Sequence, residues 1–289
     1  MARSRPVDGF SLEYDRAGSG PPVILLHGWP GARSDQREVA ARLRDRADVV
    51  VPDLRGFGGS VRHDRPPPDA YSADAQADSV CGLIEELALD RPVLAGYDVG
   101  SRVALAIARR LPEDLRGLVL APPMPGIGER VLEPAAQREF WYQPFHQLEL
   151  SETLVDGDAR AVRAYLAHFW DHWSAPGWAP EPERLDALAE LYARPGAFRA
   201  SIAWYRAGAG AVARSLSERA PAPLDRVAVP TTVLWPEHDP LFPPAWSDRI
   251  DEWFADAELR VLDGVGHFVP VEAPEAMAEA ISARLGRGG

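Results

Sequence analysis

The sequence predicts an α/β fold: a mostly parallel central sheet with helices on both faces and an inserted helical lid. Three observations predict it. In the first half, short apolar runs alternate with helical stretches, the pattern of parallel strands joined by helical crossovers. The same alternation resumes near the C-terminus. Between the two, from Pro122 to Ala220, helical periodicity continues without a convincing strand. A chain of 289 residues is long enough to bury one large core carrying such an insertion.

Taken in order, Phe10–Arg16 and Pro22–His27 read as strands and Ser34–Asp45 as a helix. Val49–Val51 is a strand, Ala73–Leu87 a helix, Val93–Tyr97 a strand, Ser101–Leu111 a helix and Leu115–Leu120 a strand. Thr231–Trp235 and Leu259–Leu262 supply the late strands, and Pro274–Leu285 the closing helix. This divides the chain into a core of residues 1–121 and 221–289 and a lid of residues 122–220. The lid holds Trp141, Trp170, Trp173, Trp178 and Trp204, five of the nine tryptophans. As a set these are expected to pack, with individual members facing a site below.

Composition excludes several chemistries. The net charge of -12, from 43 acidic and 31 basic residues, argues against a nucleic-acid or anionic-membrane surface. Every basic residue is arginine, so a P-loop, a Schiff-base lysine and a pyridoxal site are ruled out. Cys81 is the single cysteine, which removes internal disulfides and cysteine metal clusters. No apolar run reaches membrane-spanning length, and Met1 to Phe10 lacks the apolar stretch of a secretory signal. The expectation is a cytoplasmic protein with no membrane or nucleic-acid partner. A homodimer is left open.

The chemistry concentrates at strand C-terminal ends, where open α/β sheets place their sites. His27-Gly28-Trp29-Pro30 follows one strand, and Asp53 to Ser60 the next. Gly96-Tyr97-Asp98-Val99-Gly100 has the G-x-nucleophile-x-G spacing of a sharp strand-to-helix turn that lifts one side chain above the sheet. Here that side chain is a carboxylate. It suits attack on carbon, forming an ester with the protein. Glu237-His238-Asp239-Pro240 and Gly264-Val265-Gly266-His267-Phe268 follow the late strands.

With these motifs in order, the chain resembles the α/β-hydrolase superfamily along its length. Its aspartate nucleophile and H-G-W-P motif resemble the branch shared by epoxide hydrolases and dehalogenases. The resemblance implies Asp98 as nucleophile, Asp239 as orienting acid and His267 as base. It places oxyanion donors at the backbone N–H groups of Trp29 and Val99. Tyr142 and Tyr205 stand where epoxide hydrolases carry their two lid acids, a role for which a phenol protonated at neutral pH is suited. Trp141, Trp204 and Phe268 are the expected substrate contacts. Tyr165 and Tyr192 are expected to pack, and His27 and Asp53 to order loops.

The expected activity is hydrolysis of a small-molecule epoxide to a vicinal diol, with no cofactor and no metal. The aromatic-rich lid points to an aromatic or polycyclic substrate. The alternative is a hydrolytic dehalogenase using the same ester. Against it, Val99 occupies the position where haloalkane dehalogenases commonly place a tryptophan. Of the two arginines that clamp a haloacid, only Arg102 is present, and a structural ion pair is its expected role. Trp141 remains a candidate halide donor. A non-catalytic ligand-binding protein is the third reading. His168 and His172 share a helix face as zinc ligands can, but without the H-E-x-x-H glutamate a packed or solvated face is expected.

Overall fold

The computed structural model describes residues 1–286 and contains one eight-stranded sheet. Its strands are β1 (Ala2–Arg3), β2 (Glu13–Gly18), β3 (Pro22–Leu26), β4 (Asp48–Pro52), β5 (Val93–Gly96), β6 (Gly117–Leu120), β7 (Thr231–Pro236) and β8 (Ala257–Leu262). Across the sheet they lie in the order β1-β2-β4-β3-β5-β6-β7-β8. The β1–β2 and β2–β4 pairs are antiparallel, and every pair from β4 to β8 is parallel. Leu26 pairs with Gly96 and Gly96 with Leu120, so the C-terminal ends of β3, β5 and β6 are level. Loops leaving that edge therefore converge.

The strand sequences explain this arrangement. β3, β5 and β6 are almost wholly apolar and buried, the composition of strands covered on both faces. In β8 burial alternates and Leu259 and Val261 are exposed, as an edge strand allows.

The helices are α1 (Arg37–Leu43), α2 (Pro67–Ala70), α3 (Ala73–Glu86), α4 (Val99–Arg110), α5 (Pro134–Glu139), α6 (Tyr142–His146), α7 (Glu149–Val155), α8 (Ala159–Trp173), α9 (Pro182–Tyr192), α10 (Ala197–Arg206), α11 (Ala211–Ser215), α12 (Val269–Glu272) and α13 (Pro274–Gly286). The stretch from Pro122 to Ala220 carries α5 to α11 and, among the described residues, no strand. In α8, Val162, Leu166, Phe169, Trp170 and Trp173 form one buried face at helical spacing. Its start is capped by Asp158, whose carboxylate accepts from the N–H groups of Arg160 and Ala161 at 2.9 Å.

Two expected elements shift. Phe10–Arg16 is displaced to β2 because Asp8 and Gly9, both at positive φ, turn the chain and pair Phe10 with Val7. The Ser34–Asp45 helix divides into a 3-10 turn over Arg33–Gln36 followed by α1. The two-residue β1 is too short to leave a periodic signal. No described helix is long and apolar enough to cross a membrane.

Candidate active site

Asp98 sits between β5 and α4 at φ 49° and ψ -118°, a conformation that non-glycine residues rarely adopt. Its neighbours must be small. A Cβ on Gly100 would lie 2.5 Å from the Leu26 carbonyl oxygen, and one on Gly96 would lie 2.6 Å from the Gly100 carbonyl carbon. The turn thus forces the carboxylate out of the sheet. Ser101 lies behind it with Oγ 2.8 Å and 2.6 Å from the carbonyls of Gly96 and Ala121, its one proton committed to the backbone.

The loop after β3 meets this turn. Trp29 N–H donates to Asp98 Oδ1 at 2.7 Å, and the nearby Val99 N–H also favours the charged carboxylate. A Cβ on Gly28 would lie 2.7 Å from the Asp98 Cβ, so glycine is what lets the loop approach. His27 and Asp53 order the surroundings, as expected: His27 Nε2 accepts from Leu54 N–H at 3.0 Å. Asp53 accepts from the N–H groups of Arg33 and Gly59 at 2.8 and 2.9 Å and pairs with the Arg33 guanidinium.

Asp239 and His267 leave the ends of β7 and β8 and join here. His267 Nδ1 lies 2.9 Å from Asp239 Oδ2, while Asp239 Oδ1 accepts from Leu241 N–H at 2.8 Å. His267 Nε2 is 3.9 Å from Asp98 Oδ2. Glu237, the rival acid, instead accepts from Gly264 N–H at 2.8 Å on an exposed turn. Burial alone would lower the His267 pKa, but the charge and hydrogen bond of Asp239 outweigh it and raise it. Burial raises the Asp98 pKa, only partly offset by the His267 charge and the two N–H donors.

The helical stretch between β6 and β7 contributes a cluster of rings around Trp29, whose N–H donates to Asp98. Tyr142 stacks on the Trp29 ring at 5.4 Å, and Tyr205 meets it edge-on at 5.6 Å. The two tyrosine rings meet each other at 5.5 Å and 88°. Gln143 Nε2 donates to the Tyr142 oxygen at 3.2 Å, which leaves the phenolic proton to be given elsewhere. Burial holds both phenols well above their ordinary pKa, and the Asp98 charge pushes each in the same direction. Tyr192 is structural, its hydroxyl bonded to the backbone of Gly31. Tyr165 bonds His146 Nε2 at 2.9 Å.

The three expected substrate contacts differ in where they sit. Trp141 is 41% exposed and packs against Phe145, Tyr165, His168 and Phe169 rather than on the Trp29 ring. The reason is helical geometry: successive residues point about 100° apart, and Tyr142 takes the inward direction. Phe268 is fully buried and stacked on Trp170 at 3.8 Å, supporting the histidine loop. Trp204 is buried in the core, one residue from Tyr205. Arg102 pairs with Glu218 at 2.6 Å, the structural role expected of it. His168 stacks on His172, and His172 Nε2 lies 2.7 Å from Glu139.

Three residues of the ring cluster had not been singled out from the sequence. Phe169 and His146 each approach Trp29 to 4.9 Å, and Trp173 lies 5.1 Å from His267. Each carried a weak signal: Phe169 and Trp173 are four apart on α8, and His146 is four residues after Tyr142. His146 is buried with Nδ1 lacking a hydrogen-bond partner among the described residues. Burial, with Arg206 adding to it, holds its pKa well below the ordinary value.

Comparison with known proteins agrees with this architecture. The chain is 29% identical over 279 residues to a soluble epoxide hydrolase of Corynebacterium sp. (strain C12), covering 93% of this chain and 91% of that protein. It is 28% identical over 287 residues to haloalkane dehalogenase 2 of Mycobacterium bovis, covering 95% and 91%. Among solved structures, an epoxide hydrolase of the α/β-hydrolase superfamily from hot-environment metagenomes shares the fold. It superposes with a TM-score of 0.82 at 24% identity, over 98% of this chain and 97% of that one. The family model for the alpha/beta hydrolase fold matches residues 21–274. The chain therefore belongs to the α/β-hydrolase fold family.

Proposed function

We propose that the protein hydrolyses an epoxide to a vicinal diol through an ester on Asp98. An Asp98 oxygen attacks an epoxide carbon and the ring C–O bond breaks, while Tyr142 or Tyr205 gives its proton to the departing oxygen. His267, oriented by Asp239, takes a proton from water, and the resulting hydroxide adds to the ester carbonyl carbon. The Trp29 and Val99 N–H groups, already aimed at this carboxylate, stabilise the oxyanion. Collapse releases the second diol oxygen, which takes the proton held by His267. The proton left on Asp98 restores the phenol.

The observation that carries this reading is the pair of buried phenols, Tyr142 and Tyr205, packed on the ring of Trp29, whose backbone N–H donates to the Asp98 carboxylate. A departing alkoxide needs an acid, whereas a departing halide does not. The name of the Corynebacterium relative supports the same activity, and its description as soluble supports a cytoplasmic location. Dehalogenation has less support: the Val99 side chain has no donor, Trp141 is 41% exposed and meets the cluster through Phe169 rather than Trp29, and Arg102 is held by Glu218. The rings of Trp29, Phe169 and Trp173 favour an aryl epoxide.

The test is a single turnover in heavy-oxygen water with panels of aryl epoxides and haloalkanes, followed by mass analysis of the peptide bearing residue 98. Diol release with label in Asp98 is expected. Halide release from the second panel would establish the dehalogenase instead, and no turnover on either would leave a ligand-binding protein.

A further inference from the structure

Three backbone N–H groups converge on the carboxylate of Glu272, at the end of α12. Oε2 accepts from Gly266 and from Ala175, both at 2.9 Å, and Oε1 accepts from Phe268 at 3.0 Å. Gly266 and Phe268 bracket His267. Ala175 belongs to the insertion, just past the end of α8. The His267 N–H crosses the same seam, donating to the Trp173 carbonyl at 2.8 Å. The fit is close, since a Cβ on Gly266 would lie 2.4 Å from Ala175 N and 2.6 Å from the Trp173 oxygen.

No arginine pairs with Glu272 among the described residues. A partly buried carboxylate is costly unless hydrogen-bonded, and here the backbone donors of two separate segments meet that need. The nearby cation it can sense is His267 itself, which carries a proton only partway through the reaction proposed above. The Trp173 ring lies 5.1 Å from the imidazole, so the clasped insertion segment also forms one wall beside the base.

We propose that Glu272 is a positioning residue that clasps the insertion to the loop carrying His267 and thereby holds the base in place for ester hydrolysis. The inference rests on the reading of His267 as the base. It predicts that the two half-reactions respond differently. Attack by Asp98 needs the elbow and the phenols, none of which Glu272 touches, whereas hydrolysis needs the imidazole held to a fraction of an ångström.

The experiment compares wild type with Glu272→Gln and Glu272→Ala. Rapid-quench mass analysis follows formation and loss of the residue-98 ester, and hydrogen exchange follows residues 173–177 and 264–270. Hydrolysis is expected to slow about tenfold or more in Glu272→Ala while ester formation changes less than about threefold, so that ester accumulates. Glu272→Gln, which keeps one acceptor oxygen, is expected to lie between. Protection should fall in both segments together, with the β5 and β6 amides unchanged. Equal slowing of both half-reactions, or loss of protection on one side of the seam only, would overturn the proposal. If wild type forms no ester on any epoxide or haloalkane, the catalytic reading fails separately, and hydrogen exchange still decides whether Glu272 joins the two segments.

Discussion

His267 Nε2 stands 3.9 Å from Asp98 Oδ2, too far for a hydrogen bond, while its Nδ1 is bonded to Asp239 at 2.9 Å. A serine nucleophile would need its proton taken by the imidazole. A carboxylate has none to give, so in the proposed reaction the histidine is free to act on water in the second step. His267→Gln is therefore expected to form the ester at near-normal rate and to hydrolyse it about 100- to 10,000-fold more slowly. The added mass on the peptide bearing Asp98 would reveal the trapped species. Rapid release of diol by the variant would remove His267 from the mechanism.

Tyr142→Phe and Tyr205→Phe should each slow ester formation, because one phenol remains in either variant. The double variant loses the acid altogether and is expected to lose about 100- to 10,000-fold in the opening step. Rapid-mixing measurement of ester formation is the check. Hydrolysis of an ester already formed should be little affected, and near-normal opening by the double variant would refute the assignment.

The pH profile follows from the two raised pKa values. In the proposed reaction His267 can act as a base only when neutral, so hydrolysis should fall as pH drops through its raised pKa. Asp98 attacks only when ionised, and burial moves that requirement upward too, so ester formation also weakens on the acid side. Asp239→Asn removes the charge that raises His267. The acid limb of the hydrolysis step should then move to lower pH as the plateau rate falls, while the limb for ester formation moves far less. Separate pH profiles for the two steps would show this, and a hydrolysis limb unmoved by the substitution would contradict it.

Arg102 and Glu218 form a buried pair, with Arg102 Nη1 2.6 Å from Glu218 Oε1 and Gly126 N–H donating to Oε2 at 3.2 Å. Two further nitrogens of Arg102, Nε and Nη2, have no partner among the described residues. Removing Glu218 would strand that charge, and Glu218→Ala is expected to cost about 3 to 5 kcal/mol in denaturant unfolding. Arg102→Met with Glu218→Ala should cost less than Glu218→Ala alone. A larger loss in the double variant would count against the stranded charge as the cause.

What could be read from the sequence was local. Asp98, Asp239 and His267 each follow a strand within a short motif, and parallel pairing brings those strand ends to one edge. The inner surface of the insertion was not readable in this way. Trp141 and Tyr142 are adjacent and both aromatic, yet only Tyr142 stacks on the Trp29 ring, and which of the two does so depends on how α6 packs. His146 and Trp173 become site neighbours through contacts with Trp29 and His267 that lie far away in the chain. Glu272 was hidden for another reason: its partners are backbone amides, which carry no residue-type signal.

The missing side chain at Gly28 sets a boundary on how such a protein can diversify. Because any Cβ there would collide with Asp98, position 28 has no room for a side chain. The ceiling is built from α6, α8 and α10, where Tyr142, Phe169, Trp173 and Tyr205 meet through side chains alone. New substrates would thus be acquired by recasting Phe169, Trp173 and their neighbours around an unchanged floor. A library confined to those ceiling positions would sample shape while leaving Asp98 and its backbone donors in register.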